Sequence, residues 1–248
     1  MGDESVYRVL RSDARLVVIE APAGCGKTYQ GAAYADDAAK GSGGKVLVLT
    51  HTHAACTVFV GRATSGQSAV AIRTIDSLLV SIASAYHVGL GLPADVPRWA
   101  RENKHGYALV ALRVSRLLKA HSGIVATLAS RYPVVVCDEH QDCSGEQHDV
   151  AMALAGHGAR VRVFGDPMQR IFAGKGVPGC GPMCEWDGLV ATADAVERLD
   201  VPHRWQSGSP ELGKWTLQAR ESLLKGGKVD LRGRLPAGVE VVFAENQA

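Results

Sequence analysis

Arg15 to Lys40 constrains the fold of this chain more than any other stretch. Arg15 to Glu20 reads RLVVIE, a short β-branched run that fits a buried strand of a parallel sheet. A loop follows, Ala21-Pro22-Ala23-Gly24-Cys25-Gly26-Lys27-Thr28. Thr28 to Lys40 is Ala-rich, lacks Gly and Pro apart from Gly31, and fits a helix that Gly41-Ser42-Gly43-Gly44 terminates. Lys45 to Thr50 is a second apolar strand. Strand, loop, helix and strand in this order form a βαβ unit and predict an α/β sheet.

The alternation continues. Further strands are expected at Ala69–Ile72, Val134–Asp138, Val161–Gly165 and Val196–Leu199, with helices around Ser77–Tyr86, Tyr107–Ala120 and Glu146–Ala155. Residues 84–130 interrupt it with a mostly helical pattern, Pro93, Pro97 and the basic run Arg98 to Lys104, and read as a small helical insertion. Glu211 to Lys225 reads as a helix in a connector over 207–236. Gly238 to Ala244, GVEVVFA, reads as a new strand opening a second domain over 237–248.

The chain has 248 residues, 46% hydrophobic and 21% charged, which suits one buried α/β core and excludes wholesale disorder. A net charge of +2 neither demands nor excludes a nucleic-acid partner, because a binding groove is basic locally. No apolar run reaches membrane-spanning length, and the acidic start does not read as a signal peptide. Six dispersed cysteines point to reduced thiols in a cytoplasm. Cys180-Gly-Pro-Met-Cys184 has the spacing of half a metal site, with His140 or His148 in reserve; without a second matching pair this is a weak signal.

The loop Ala21–Thr28 has the context that phosphate binding requires, between a strand and a helix. Backbone N–H groups at the helix N-terminus surround phosphates, and Gly24 and Gly26 admit close backbone approach. Lys27 offers its charge to the terminal phosphates, and Thr28 a hydroxyl to Mg²⁺. Val134 to Glu139 places Asp138 and Glu139 at the carboxyl end of a buried strand, where open α/β sheets hold ligands. Asp138 suits Mg²⁺ through its water shell, and Glu139 suits a general base. Val163 to Phe172 is another strand running into a polar loop, with Gln169 able to reach a γ-phosphate.

Together these motifs resemble the first motor domain of UvrD/Rep-like superfamily 1 helicases. Ala21-x-x-Gly24-x-Gly26-Lys27-Thr28 resembles the family's loop, with Ala in its usual first position. Asp138-Glu139-His140-Gln141-Asp142 resembles its Asp-Glu-x-Gln-Asp motif, and Gly165, Asp166, Gln169, Ile171 and Phe172 match the third. Val48 to Ala55 and Arg73 to Leu78 are similar to its DNA-contacting motifs, and Leu199 to Gln206 to its motif IV. The resemblance runs from about residue 17 to 206 and implies a P-loop NTPase (RecA-like) parallel sheet flanked by helices, in a domain spanning 1–206. It implies ATP and Mg²⁺ as cofactors, contacted by Ala23, Gly24, Cys25, Gly26, Lys27, Thr28, Tyr29, Asp138 and His203. It implies catalytic roles for Lys27, Glu139, Gln169 and Arg204, with Thr28 and Asp138 on the metal. It implies single-stranded or partly duplex DNA on Thr50, His51, Thr52, Thr74, Asp76 and Ser77.

The chain departs from that family in three ways. No Gln-containing adenine motif precedes the loop, the insertion after the Thr74 motif is short for the family, and motifs V and VI do not appear; within motif IV, His203 stands where the family has a stacking Tyr. A second RecA-like domain, from a longer chain or a partner, is therefore expected to complete the motor. A nucleotide- and DNA-binding module without unwinding activity, or an RNA-directed relative, are the other readings. Trp99, Trp186, Trp205 and Trp215 read as packing residues first, with Trp99 beside Arg98, Arg101 and Lys104 the best candidate for an exception that stacks on a single strand. Cys25 reads as inert or as a site of thiol inactivation.

Overall fold

The computed structural model describes residues 2–41, 43–62, 69–170 and 182–242. Six strands form one sheet: β1 (Leu16–Glu20), β2 (Val46–Thr50), β3 (Val70–Thr74), β4 (Val134–Cys137), β5 (Arg160–Gly165) and β6 (Ala195–Arg198). Their order is β3-β2-β4-β5-β1-β6, and every pairing is parallel. The helices are α1 (Gly2–Leu10), α2 (Lys27–Gly41), α3 (His53–Arg62), α4 (Ile75–Ala85), α5 (Val96–Glu102), α6 (Gly106–Ala120), α7 (Ser122–Arg131), α8 (Gly145–Gly156), α9 (Trp186–Thr192) and α10 (Pro210–Leu224). None among the described residues is long and apolar enough to cross a membrane.

The near-continuous apolar strands are buried on both faces, as parallel sheets require. Alternate residues feed two cores. Val18, Leu47, Leu49, Val135 and Val163 face a layer built from α4 to α9, and Val17, Ile19, Val46, Val48 and Val136 face α1, α2 and α3. Two helix starts are written in the sequence. Thr74 accepts from Ser77 N to begin α4, and Ser144 with Gln147 forms a capping box for α8.

Two helices fall where no element was expected, and one expected strand does not form. The acidic start is α1, packed through Val6 and Leu10, and residues 53–62 form α3. Within 84–130 the chain is helical, and Val110, Val114, Leu118 and Val125 share a core with α4 and α8. Residues 239–242 adopt no strand, and 243–248 lie outside the described residues, as do Ile171, Phe172 and Cys180.

Arg162, on central β5, is fully buried. Its guanidinium donates to the carbonyls of Leu10 (2.7 Å), Ser12 (2.8 Å) and Ala14 (2.8 Å), just beyond α1. A buried cation thus satisfies the orphan carbonyls and negative dipole at the end of α1.

Candidate active site

The strand order brings three loops together. β5 lies between β1 and β4, so the loops after β1, β5 and β4 leave the same carboxyl edge as neighbours. These carry Ala21–Thr28, Asp166–Gln169 and Asp138–Asp142.

The first loop turns with Gly24 at φ +73° and Gly26 at φ +87°, which side chains rarely adopt. Ala21 needs no such freedom; it is fully buried, and its N–H donates to Gly165 O at 2.9 Å. Lys27 opens α2, so helix N–H groups and the ammonium face one cleft. That cleft, of about 730 Å³, is lined by residues 22–24 and 26–30 with Glu139, Gln169, His203 and Arg204. Asp3 from α1 and Arg62 from α3 also reach it, and sequence reasoning assigned neither. Tyr29 is exposed at its rim, and the Cys25 side chain lies beneath it, fully buried. Burial pushes the Cys25 thiol up to about 11, which favours the inert reading over thiol inactivation.

Lys27 Nζ lies 3.0 Å from Glu139 Oε2. The approach is close enough for an ion pair but off the hydrogen-bonding axis, and among the described residues the buried ammonium has no hydrogen-bond acceptor. Asp138 Oδ1 is likewise buried without a partner. Burial, with the neighbouring charge of Glu139, pushes the Asp138 carboxyl up to about 7, although Lys27 opposes the shift. An ammonium at the start of α2 and a carboxyl at the end of β4, both buried without a hydrogen-bond partner among the described residues, fit a phosphate with its metal ion.

The raised carboxyl has a stability consequence. Between about pH 4 and 7 the folded chain holds a proton that the unfolded chain has released, so stability falls as pH rises through that window. Asp138→Asn removes the titration. It is expected to raise the melting temperature of the ligand-free chain at pH 8, by about 2–4 °C for each kcal/mol gained, and to flatten the pH dependence. A lower melting temperature at pH 8 would show that the carboxylate is charged and stabilised there.

Glu139 sits at φ +51°, in the left-handed region. Such backbone strain concentrates at functional sites and persists where surroundings enforce it. Gln141, buried in the same motif, does so from both ends. Its Nε2 donates to Glu139 Oε2 (2.9 Å), and its Oε1 accepts from Asp166 N (3.1 Å). Gln141 therefore ties the second motif to the third, a role its place in the motif did not announce. His140 is buried beside it, and burial lowers its imidazole to about 3, which leaves it neutral.

Asp166 is buried and accepts from Met168 N (3.1 Å) and Gln169 Nε2. It pairs with Arg220 of α10 at 2.6 Å. Gln169 is thus held on Asp166 at the cleft wall. The Arg220 contact joins residues 54 positions apart, and no motif marks it.

The last predicted segment docks directly on the first loop. Arg204 N donates to Gly24 O at 3.0 Å, and Trp205 packs where a Cβ on Gly24 would stand, 2.6 Å away. Arg204 is exposed at the cleft. His203 lies over Gly26 and contacts Asp3 at 2.6 Å. Trp205 and Trp186 are therefore packing residues. Trp99 also packs on the core, with Arg113 over its ring at 5.8 Å, which counts against a free stacking platform.

The residues expected on DNA lie at the ends of adjacent β2 and β3, where Thr50 pairs in register with Thr74. Both are buried: Thr50 Oγ1 donates to Thr52 O, and Thr74 caps α4. Asp76 accepts from Gln147 Nε2 at 2.8 Å. Thr52 is exposed, His51 and Ser77 are half-buried, and burial lowers the His51 imidazole.

A profile described as an AAA domain matches residues 3–179. No curated protein matches the sequence. Among solved structures, the chain is similar to the Pif1 helicase from Candida albicans at 16% identity and TM-score 0.48, over 88% of this chain and 43% of that one. It is similar to Bacteroides sp Pif1 in complex with ADP-AlF4 at 16% identity and TM-score 0.42, over 88% and 45%. A Pif1 helicase from Bacteroides in complex with ADP-AlF3 and ssDNA matches at 18% identity and TM-score 0.37, over 67% and 32%. The chain thus spans less than half the length of these proteins, and each is named as Pif1, not as a UvrD/Rep-like helicase. With its glycine loop, its paired acids and the turn after β5 all inside the matched 3–179, and with well over half its length covered, the chain belongs to the AAA domain family, on a P-loop NTPase fold.

Proposed function

We propose that this chain is the ATP-binding and ATP-hydrolysing motor domain of a superfamily 1 helicase that acts on single-stranded DNA. The observation that carries the reading is the convergence, in one cleft, of a Lys27 ammonium without a hydrogen-bond acceptor among the described residues, Glu139 and Gln169, with the buried, unpartnered Asp138 Oδ1 beside Glu139 at the end of β4. Backbone N–H groups of Gly24 to Thr28 and the Lys27 ammonium would hold the phosphates, and Thr28 with Asp138 the Mg²⁺. Held by Thr28 and Asp138, Mg²⁺ would supply positive charge to offset that of the phosphates. Lys27 leaves Glu139 for the phosphates, which frees Glu139 to take a proton from water. Tyr29 and His203 flank the place for the base, and Gln169 and Arg204 the terminal phosphate.

Motor action needs a second RecA-like domain to close over the open side of this cleft, where Arg204 is exposed. The tie between Gln169 and Asp166 favours, as a second reading, a module that binds nucleotide and turns over slowly.

ATPase assays with and without single-stranded DNA separate these readings; turnover that DNA does not raise supports the module. Thr52→Ala is the DNA variant of choice because Thr52 is exposed and Thr74 buried; each hydroxyl also caps a helix, Thr52 by accepting from Ala55 N (3.1 Å) and Thr74 from Ser77 N, so either loss costs about 1 kcal/mol of stability. Thr52→Ala is expected to weaken DNA binding a few-fold, with ATP affinity unchanged, by removing one phosphate contact. Joint loss of DNA and ATP binding would indicate misfolding, and equal DNA affinity would take Thr52 off the strand path. RNA as competitor at stated salt tests the polymer.

A further inference from the structure

Away from the cleft, three metal-ligating side chains converge from three parts of the chain. His140 lies in the turn after β4, His148 on α8, and Cys184 just before α9. His140 Nε2 is 3.1 Å from His148 Nδ1, and Cys184 Sγ is 3.3 Å from the same Nδ1. All three ligand atoms lie within 4.8 Å of one another. We propose that His140, His148 and Cys184 bind a divalent zinc-class metal ion, as a structural clamp on the catalytic loop.

The spacing fits such an ion. With Zn–N near 2.0–2.1 Å and Zn–S near 2.3 Å, tetrahedral ligands lie about 3.3–3.6 Å apart. The two measured contacts are at or just below that edge, so an ion can enter with small side-chain adjustments. Imidazole and thiolate are also the donors that zinc prefers, and no carboxylate belongs to the cluster.

Hydrogen bonding alone serves these atoms poorly. His148 Nδ1 carries either one proton or one lone pair, yet it faces both His140 Nε2 and Cys184 Sγ. Only one of the two contacts is then well made, although His140 and Cys184 are almost fully buried. A metal ion accepts lone pairs from all three, and the Cys184 thiol gives its proton to solvent as it binds.

The surroundings pre-organise the set. His140 Nδ1 faces Cys143 Sγ at 3.3 Å, and that sulfur faces His51 Nε2 at 3.3 Å. A partner on Nδ1 directs Nε2 toward the ion, which is the usual second-shell arrangement of ligating histidines. Cys184 N donates to Cys143 O (3.0 Å) and Gly145 N to Pro182 O (2.8 Å), so the Cys184 strand is laced against the start of α8. His148 and Cys184 line a surface groove with Met183 and Glu185, which provides an entry path. The fourth position is left to water or a further donor.

The site would fasten His140, the neighbour of Glu139, to α8 and to the segment entering α9. It does not depend on the nucleotide reading, since no ligand belongs to the phosphate cleft.

Cobalt(II) is the probe for the full chain, stripped by chelator and kept reduced with a phosphine. The expected result is one equivalent bound, with intense tetrahedral d–d bands and a thiolate-to-cobalt charge-transfer band, and displacement by one equivalent of zinc. Cys184→Ser should lose the charge-transfer band, and His148→Gln should weaken binding by roughly 10²-fold, one ligand's share of typical zinc affinities. Cys56→Ser, outside the set and facing Thr50 Oγ1, should change neither. Should a variant misfold, X-ray absorption of the zinc-loaded wild type decides without it: two imidazoles and at least one sulfur are expected. Fewer than two imidazoles, no sulfur, no binding above background, or a charge-transfer band that survives Cys184→Ser would each overturn the assignment.

Discussion

Lys27→Ala is expected to abolish measurable Mg·ATP binding by calorimetry while leaving the fold intact. Charge-assisted hydrogen bonds contribute about 1.5–3 kcal/mol each, and Lys27 is positioned to make two or three to phosphate oxygens. Their loss weakens binding by roughly 10²–10⁴. The fold should survive because the ammonium satisfies nothing in the ligand-free state: it is buried, and makes an off-axis ion pair with a Glu139 that is one-third exposed. Truncating it removes a desolvated charge and leaves Glu139 accessible to water. Without Lys27 the Asp138 carboxyl also loses the neighbour that lowers it. Binding that persists in a folded Lys27→Ala variant would remove the phosphate-loop assignment.

Glu139→Gln should keep nucleotide binding and lower hydrolysis by about 10²–10⁴, the usual contribution of a positioned general base. The geometry makes this substitution unusually clean. Gln141 Nε2 donates to Glu139 Oε2, and the oxygen of an amide at 139 accepts the same bond. The left-handed backbone at 139 is then supported as before. The variant also carries an internal control. Glu139 is the second largest cause of the raised Asp138 carboxyl, so its neutralisation should bring that carboxyl down. A fall in hydrolysis together with a downward shift of the stability–pH profile identifies Glu139 as the base. Lost binding would instead place Glu139 among the metal ligands.

The central strands were legible because each is a short apolar run with both faces buried, and two-sided burial leaves a near-continuous signal. α1 was missed because it is short and carries few apolar residues, with Val6 and Leu10 buried and Val9 packed beside them. α3 was missed because its one fully buried residue, Phe59, leaves no periodic stripe. The core status of 84–130 was also hidden, because an amphipathic helix does not declare which surface its apolar stripe meets.

The motifs by themselves determined the chemistry of the cleft: glycines that allow positive φ, a lysine at a helix start, and paired acids at a strand end. These are local requirements of backbone conformation and charge, so residues adjacent in sequence can state them. Tertiary structure alone decided the rest. It set Gln141 between Glu139 and Asp166, Arg220 on Asp166, Asp3 against His203, and Cys184 beside His148 and His140. The physical reason is the parallel sheet. Each crossover returns the chain to the same edge after tens of residues, so side chains far apart in sequence become neighbours only once the strand order β4-β5-β1 exists.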